Sequence, residues 1–175
     1  EVLISLVAYT LTGYGATRFN KKKKNTFLSF ILMTQMFPSI MLLVPFYKIL
    51  SVYGLNNSLV GLCIVYVSFT IPFCSWMMVG YFRTIPTEID ESAAIDGASH
   101  LQTFWKIALP LVKPGLVSSA IYAFITCWNE YMFAAILLVN DKLKTAAVAI
   151  AEMNGYYKIA WNDMMAASLV ASVPL

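Results

Sequence analysis

Residues 49–82 read ILSVYGLNNSLVGLCIVYVSFTIPFCSWMMVGYF and contain no charged side chain. This stretch is longer than the roughly 20 apolar residues that a helix needs to cross the hydrocarbon core of a bilayer. The whole chain is also apolar, because 59% of its 175 residues are hydrophobic, 12% are charged and the mean hydropathy is +0.70. A soluble domain carries about 25% charged residues. The sequence therefore predicts an integral membrane protein.

Five apolar segments can be drawn, and each is predicted to be a helix because lipid offers no hydrogen-bond partner to an open strand. They cover about residues 2–17, 26–47, 58–82, 115–139 and 164 onward. Pro38, Pro45 and Pro72 lie inside two of them and predict kinks. The predicted fold is all-α, a polytopic bundle of transmembrane helices forming one domain over residues 1–175. Since the chain begins with Glu1 and ends inside the fifth segment, we expect a fragment truncated at both ends.

Basic residues are distributed unevenly among the loops between these segments. The first loop holds Arg18 and a run of four lysines, and alternate loops together hold eight basic residues against four. The run consists of Lys21, Lys22, Lys23 and Lys24. Cytoplasmic loops of membrane proteins are enriched in Lys and Arg. The lysine loop and the third loop, residues 83–114, are therefore predicted to face the cytoplasm.

The sequence lacks the residue clusters of an enzyme or a metal site. Its three cysteines are Cys63, Cys74 and Cys127. None has metal-ligand spacing to another cysteine or to the single histidine, His100, so we interpret them as packing residues. Gly13 and Gly15 are not followed by the Gly-Lys-Ser/Thr of a phosphate-binding loop, and they are interpreted as helix-packing residues. No catalytic residue, metal, cofactor or nucleic-acid partner is expected.

The 83–114 loop reads RTIPTEIDESAAIDGASHLQTFWKIALPLVKP and is too patterned to be a simple connector. Thr87 with Asp90 three residues later has the spacing of a capping box, which predicts the start of a short helix. Gly97 predicts the end of that helix, because glycine adopts positive φ without a steric penalty.

The second half of the loop predicts a second short helix. Ser99 with Gln102 has the spacing of another capping box, and Pro110 and Pro114 are predicted to close the loop. Two short helices with small and apolar faces are typical of a segment that docks in a groove on another protein. They are equally typical of a segment that lies on lipid headgroups, and spacing alone leaves both interpretations open.

The string ESAAIDG at residues 91–97, followed after nine residues by IALP at 107–110, resembles the EAA loop of binding-protein-dependent ABC import permeases. The match departs from the family pattern at Ser92, which replaces the first alanine. The strings TQMFP at 34–38, GYFRTIP at 80–86 and WNE at 128–130 resemble the carbohydrate-uptake branch, in the subfamily of the smaller maltose-transporter permease subunit. The resemblance covers essentially the whole chain and implies about five of the six helices of such a permease.

This resemblance implies that the 83–114 loop docks on an ATP-binding cassette subunit. The residues that it assigns to coupling are Glu91, Ser92, Ala93, Asp96, Gly97, Ile107, Leu109 and Pro110. ATP would be hydrolysed in the partner subunit, so the chain itself is expected to be a transport subunit and not an enzyme. Closure of the ATPases would rock two permeases between inward-facing and outward-facing states.

A carboxylate lies in the fourth apolar segment at Glu130. Since a charged side chain at the bilayer centre costs on the order of 3 kcal/mol, Glu130 is predicted to face protein or water. It lines a sugar path, makes a structural hydrogen bond between helices, or lies as a neutral side chain near the outer interface; Gln35, Asn129 and Tyr9 are weaker candidates for the path.

The resemblance also implies further partners. Gly155, Tyr156 and Tyr157 are assigned to contact with an extracytoplasmic solute-binding protein, and a second, different permease subunit is expected to complete a heterodimer in the plasma (inner) membrane of a prokaryote. Membrane lipid is the remaining partner. The alternatives are a permease for another solute, such as a polyamine or an amino acid, and a stand-alone secondary transporter. A membrane-embedded enzyme would need clusters of His, Asp or Glu that the sequence lacks.

Overall fold

The computed structural model describes residues 1–18, 24–155 and 160–175, and its regular elements within these ranges are helices. The α-helices are α1 (Val2–Arg18), α2 (Lys24–Thr34), α3 (Leu43–Val52), α4 (Leu59–Arg83), α5 (Thr87–Ile95), α6 (His100–Thr103), α7 (Leu109–Leu111), α8 (Lys113–Trp128), α9 (Met132–Leu137), α10 (Ala146–Glu152) and α11 (Trp161–Ser172). Short 3-10 helices span Ser39–Leu42 and Asp141–Leu143, and a π-helix spans Phe104–Ala108. The predicted all-α fold class is confirmed.

One helix in the described ranges, α4, is long and apolar enough to cross a membrane. A second candidate span is His100–Leu111 taken together with Lys113–Trp128, although the two parts are bent by 75° relative to each other. The 25 residues of α4 agree with the predicted segment 58–82, and Pro72 lies inside this helix without ending it.

Two predicted segments are divided in the structure. The segment 26–47 divides at Pro38, which precedes the 3-10 helix, because the residue before a proline is disfavoured in the α conformation. Pro45 does not kink a helix as predicted, since it lies in the first turn of α3, where its missing N–H costs no helical hydrogen bond. The segment 115–139 divides into α8 and α9 at residues 129–131.

The chain divides into two compact units. Unit 1 comprises Glu1–Phe37 and Val67–Phe124, and unit 2 comprises Pro38–Tyr66 and Ile125–Leu175. The predicted organisation as one transmembrane domain containing the 83–114 loop stays a prediction.

The core of unit 1 lies where α1, α4 and the 83–114 loop pack together. Gly13 allows α1 to approach α4 closely, because a Cβ atom there would lie 2.8 Å from Cβ of Met78. Tyr14, the next residue, packs its ring against Phe82 and Phe104 with centroid distances of 5.5 and 4.9 Å. The buried members of this core are Tyr9, Tyr14, Cys74, Met78, Phe82, Ile85, Phe104, Ala108, Val112 and Ala123.

In unit 2, Asn57 joins the segment 53–58, which precedes α4, to the end of α9 by hydrogen bonds. Its Oδ1 accepts hydrogen bonds from the backbone N–H groups of Val139 and Asn140 at 3.0 and 2.9 Å. Its own N–H donates to the carbonyl of Leu137 at 2.9 Å. Asn57 has φ of 56°, a left-handed conformation that asparagine tolerates better than most residues.

Asn57→Ala is expected to destabilise unit 2 by about 2–3 kcal/mol, because it removes two hydrogen bonds and places alanine in a left-handed conformation. Asn57→Gly adopts this φ freely and is expected to cost about 1 kcal/mol less. The check is the midpoint of thermal unfolding of the purified protein in detergent. If both variants unfold at the same temperature as the unaltered protein, the expected role of Asn57 is contradicted.

Candidate functional site

The first helix of the 83–114 loop, α5, ends as its sequence predicts but does not begin as predicted. The N-cap is Pro86 and no side chain caps the helix, so the predicted capping box of Thr87 and Asp90 is wrong. The predicted positive φ at Gly97 is confirmed, with a value of 82°. The N–H groups of Gly97 and Ala98 donate to the carbonyls of Ala94 and Ala93 at 3.0 and 2.9 Å, the pattern of a Schellman motif.

The second helix begins with the predicted capping box. The Ser99 N–H donates to Oε1 of Gln102 at 2.8 Å, and the Gln102 N–H donates to Oγ of Ser99 at 3.3 Å. The backbone then widens into the π-helix before Pro110, where a proline ring would clash with the carbonyl four residues earlier in an α-helix. The loop ends at a bend of 75° between Leu111 and Lys113, which lies between Pro110 and Pro114, the two prolines predicted to close it.

The coupling residues taken from the family resemblance lie on two sides of the loop. Ala93 is only 5% exposed and packs inside unit 1, so its side chain is not on the surface. The exposed members are Glu91, Ser92, Asp96, Gly97 and Pro110. Ile107 and Leu109 are half-buried, and Leu109 packs against the core of unit 1.

One exposed apolar residue of α5 was missed by sequence reasoning. Ile95 is 87% exposed, and Leu101 on the second helix is 66% exposed. Ile95 follows Ala94, which is also exposed, at the end of α5. The signal available in the sequence was the isoleucine at position 95, which the motif does not specify. The surface formed by Glu91, Ala94, Ile95 and Asp96 is called the outer face of α5 below.

An ion pair that the sequence did not predict lies on the other side of α5. Nε of Arg18, at the end of α1, pairs with Oδ2 of Asp90, and the two side chains are 10% and 18% exposed. Asp90 is thus recruited by a distant arginine and does not cap its own helix. Nothing in the local pattern links the two residues, because the pairing depends on the packing of α1 against α5.

The candidate path residues do not all belong to one unit. Gln35 belongs to unit 1, is exposed, and donates from Nε2 to the carbonyl of Phe69 at 3.2 Å. Asn129 belongs to unit 2, is exposed, and donates from Nδ2 to the carbonyl of Ile125 at 3.0 Å. Tyr9 is fully buried in the core of unit 1.

Glu130 lies at the break between α8 and α9 and accepts hydrogen bonds with both carboxylate oxygens. Oε1 accepts from the N–H of Phe133 at 2.8 Å. Oε2 accepts from the N–H of Ala134 at 3.1 Å and from the hydroxyl of Tyr66 at 2.8 Å. The carboxylate therefore satisfies two N–H groups at the start of α9 that have no partner inside the helix. This is structural hydrogen bonding, one of the roles that the sequence left open.

A cavity of about 200 Å³ adjoins this break in unit 2. Trp128 and Asn129 line it together with residues of α10 and α11, including Ile150 and Ser168. The Trp128 ring is fixed because its Nε1–H donates to the carbonyl of Ala171 at 3.0 Å. The lining thus combines an aromatic ring, an amide and a hydroxyl, groups that can bind a polar solute of modest size.

Some of the residues assigned to contact with the solute-binding protein, and part of the lysine loop, lie outside the described residues. Tyr156 and Tyr157 are in the undescribed range 156–159, and Lys21, Lys22 and Lys23 are in the range 19–23. Gly155 is described and exposed. Before it, Lys144 pairs with Asp141 and Glu152, each at 2.6 Å, and the Lys144 ammonium lowers the pKa of Asp141 below its usual value.

Over residues 1–18, 24–155 and 160–175, no three His, Cys, Asp or Glu side chains are grouped so that they could hold a metal ion. The three cysteines are free thiols, with Cys74 buried.

Comparison with known proteins places the chain in a family. Residues 6–175 match the family described as binding-protein-dependent transport system inner membrane component. The chain is 35% identical over 181 residues to the trehalose/maltose transport system permease protein MalG of Thermococcus litoralis, covering 99% of this chain and 65% of that protein. It is 36% identical over 178 residues to the inner membrane ABC transporter permease protein YcjP of Escherichia coli, covering 100% and 64%.

A solved structure shares the fold. The crystal structure of a bacterial ABC transporter involved in the import of the acidic polysaccharide alginate superposes with a TM-score of 0.71 at 25% identity, covering 97% of this chain and 61% of that one. The chain thus spans just under two thirds of the length of these three relatives. Because the family match extends over nearly the whole chain, the chain is a membrane protein that belongs to the inner membrane components of binding-protein-dependent transport systems.

Proposed function

We propose that the chain is the membrane-spanning permease subunit of an ATP-driven importer for sugars or oligosaccharides. The observation that carries this proposal is the 83–114 loop, which presents the outer face of α5 to a partner while its inner face is anchored in unit 1. The solute class is supported by the relatives, one of which is named for trehalose and maltose and another for alginate import.

The outer face of α5 is suited to docking in a groove on an ATP-binding cassette subunit. Ala94 has a small side chain that permits close approach, and Ile95 supplies an exposed apolar anchor. Glu91 and Asp96 flank them with carboxylates that can pair with basic side chains of the partner. The Schellman turn at Gly97 fixes the direction in which the second helix leaves, so the two helices present one defined surface.

ATP binding and hydrolysis take place in the partner, and this chain converts the resulting movement into access for the solute. Closure of two ATPases would displace α5 and rotate the permease between inward-facing and outward-facing states. In this arrangement the 83–114 loop and the lysine loop face the cytoplasm of a prokaryote. A second, different permease completes the pathway, and the solute-binding protein contacts Gly155, Tyr156 and Tyr157.

The solute path is proposed to include Gln35, Asn129 and Glu130. Asn129 is supported by its exposure and by its place in the cavity beside Trp128, since a sugar ring can stack on an aromatic face and bond to an amide. Glu130 is supported by its position at the adjoining helix break.

The test is photo-crosslinking from a single cysteine in the assembled importer, in a background without Cys63, Cys74 and Cys127. Ile95→Cys carrying benzophenone maleimide is expected to crosslink to the ATP-binding subunit with a yield that changes between nucleotide-free and ATP-bound states. The matched control is Ala93→Cys, two residues away and buried, which is expected to react poorly with the label and to give little crosslink.

The complex must be shown to be intact by size-exclusion chromatography. Absence of any crosslink from Ile95→Cys and Ala94→Cys in such a complex would reject the coupling role of α5. It would favour a stand-alone transporter instead. Uptake of labelled maltose and trehalose, compared with labelled putrescine, tests the solute class separately.

A further inference from the structure

Helix α1 and helix α5 are joined by a charge pair that is partly removed from solvent. Arg18 is the last residue of α1, and Asp90 lies on α5. Their side chains are 10% and 18% exposed. Salt screens such a pair less than a surface pair, and removal of one partner leaves the other charge uncompensated. The pair is therefore a specific contact between the two helices.

The same guanidinium makes a second contact with the loop. Nη2 of Arg18 donates to the carbonyl of Ile85 at 3.2 Å, in the turn that joins α4 to α5. Ile85 itself is buried. The planar guanidinium carries N–H groups that point in different directions, so Nε pairs with the carboxylate while Nη2 donates to the carbonyl. Arg18 thus fixes the end of α1 both to α5 and to the turn before it.

The end of α1 is also held in place by aromatic packing. Tyr14 lies one turn before Arg18, and its ring contacts Phe82 at the end of α4 and Phe104 in the second half of the loop. All three rings are buried. Close-packed cores deform little. The packing of these three rings therefore cannot absorb a displacement of α5, which moves α1 as well.

Asp90 faces unit 1, whereas Glu91 and Ile95 of the proposed docking surface lie about 100° and 140° around the helix from it. Asp90 and Ala93 are three residues apart, lie on one face of the helix, and face unit 1. Ala94 and Ile95 are exposed on the outer face. A helix of nine residues moves as one body, so a partner that pushes on the outer face moves Asp90 and pulls on Arg18.

We propose that the Arg18–Asp90 pair transmits the movement of α5 to α1, and that both are positioning residues for the coupling of ATP hydrolysis to solute uptake. This inference rests on the proposed function of the chain. It assigns a role to two residues outside the coupling set taken from the family resemblance.

The experiment uses the complete importer, with ATPase, second permease and solute-binding protein, in proteoliposomes. ATP hydrolysis and uptake of labelled maltose and trehalose are measured together. Arg18→Gln and Asp90→Asn are each expected to lower the uptake per ATP hydrolysed by about tenfold, within the range of ordinary allosteric coupling. Arg18→Lys, which keeps the charge, is expected to retain most of the ratio. The reversed pair Arg18→Asp with Asp90→Arg is expected to recover part of it.

Lys106→Gln is the matched control, because it removes one positive charge from an exposed position of the same loop and is expected to leave the ratio unchanged. Assembled Arg18→Gln and Asp90→Asn complexes with the unaltered ratio would overturn the inference, as would equal ratios for Arg18→Lys and Arg18→Gln. If Arg18→Gln or Asp90→Asn does not assemble, the uptake per ATP hydrolysed by Arg18→Lys and by the reversed pair tests the inference instead. If ATP hydrolysis by the unaltered complex does not respond to the solute-loaded binding protein, the proposed function is overturned, and this inference with it.

Discussion

Gly13→Val is expected to destabilise unit 1 by about 3 kcal/mol, because α1 and α4 touch at this glycine. A Cβ atom at Gly13 would lie 2.8 Å from Cβ of Met78 and 3.2 Å from both the backbone carbon of Met78 and Cδ2 of Phe82. Met78 and Phe82 are fully buried, so neither side chain has free space into which it can move. The helices must separate, and the aromatic packing of Tyr14 is lost with them.

Gly15→Val is the matched control on the same helix, because nothing lies within 4 Å of a Cβ atom placed at Gly15. It is expected to change the stability by less than about 0.5 kcal/mol, since valine is slightly better than glycine in a helix. The measurement is thermal unfolding of the purified protein in detergent, followed by size-exclusion chromatography. Equal melting temperatures for the two valine variants would show that α1 does not pack against α4 through Gly13.

These two glycines were not distinguished from the sequence. Both were interpreted as helix-packing residues, because small residues in a transmembrane helix allow a close neighbour. Only Gly13 has such a neighbour in the structure, whereas Gly15 is open. The rotation of α1 about its axis decides which glycine faces α4. Gly13 lies four residues from Tyr9 and from Thr17 on the buried face of α1, and this spacing of small and polar residues was the available signal.

Features determined by neighbouring residues were predicted well. The α4 helix followed from an uninterrupted apolar run, and the Ser99–Gln102 capping box and the Gly97 turn followed from local hydrogen bonding and backbone freedom. The capping box at Thr87 failed because Asp90 pairs with Arg18, which is distant in sequence. Ala93 was assigned to a partner surface by its motif, yet its side chain faces the core of its own unit.

The break between α8 and α9 has the same kind of cause. Residues 115–139 are apolar enough to predict a single span, and the only charged residue among them is Glu130. In the structure this side chain turns back to cap α9, so a new helix begins after it. A hydrophobic profile counts the cost of a carboxylate but not the N–H groups that it can satisfy, which is why the break was not predicted.

Glu130→Ala is expected to lower the stability of unit 2 by about 3 kcal/mol, because it leaves two N–H groups at the start of α9 and the Tyr66 hydroxyl without their acceptor. Tyr66→Phe removes one of these bonds and is expected to cost about 1 kcal/mol. Asn129→Ala, one residue away at an exposed side chain, is expected to leave the melting temperature almost unchanged. Thermal unfolding in detergent checks all three.

Uptake by the complete importer separates the structural role of Glu130 from its proposed role in the solute path. A carboxylate has about four lone-pair sites, so three accepted hydrogen bonds leave room for one solute hydroxyl. Glu130→Gln keeps one acceptor oxygen and much of the cap, and it is expected to raise the sugar concentration needed for half-maximal uptake while the protein stays folded. Asn129→Ala is expected to raise it as well. If Glu130→Gln takes up sugar normally and only its melting temperature falls, Glu130 is a helix cap alone, and the path through unit 2 rests on Asn129 and Trp128.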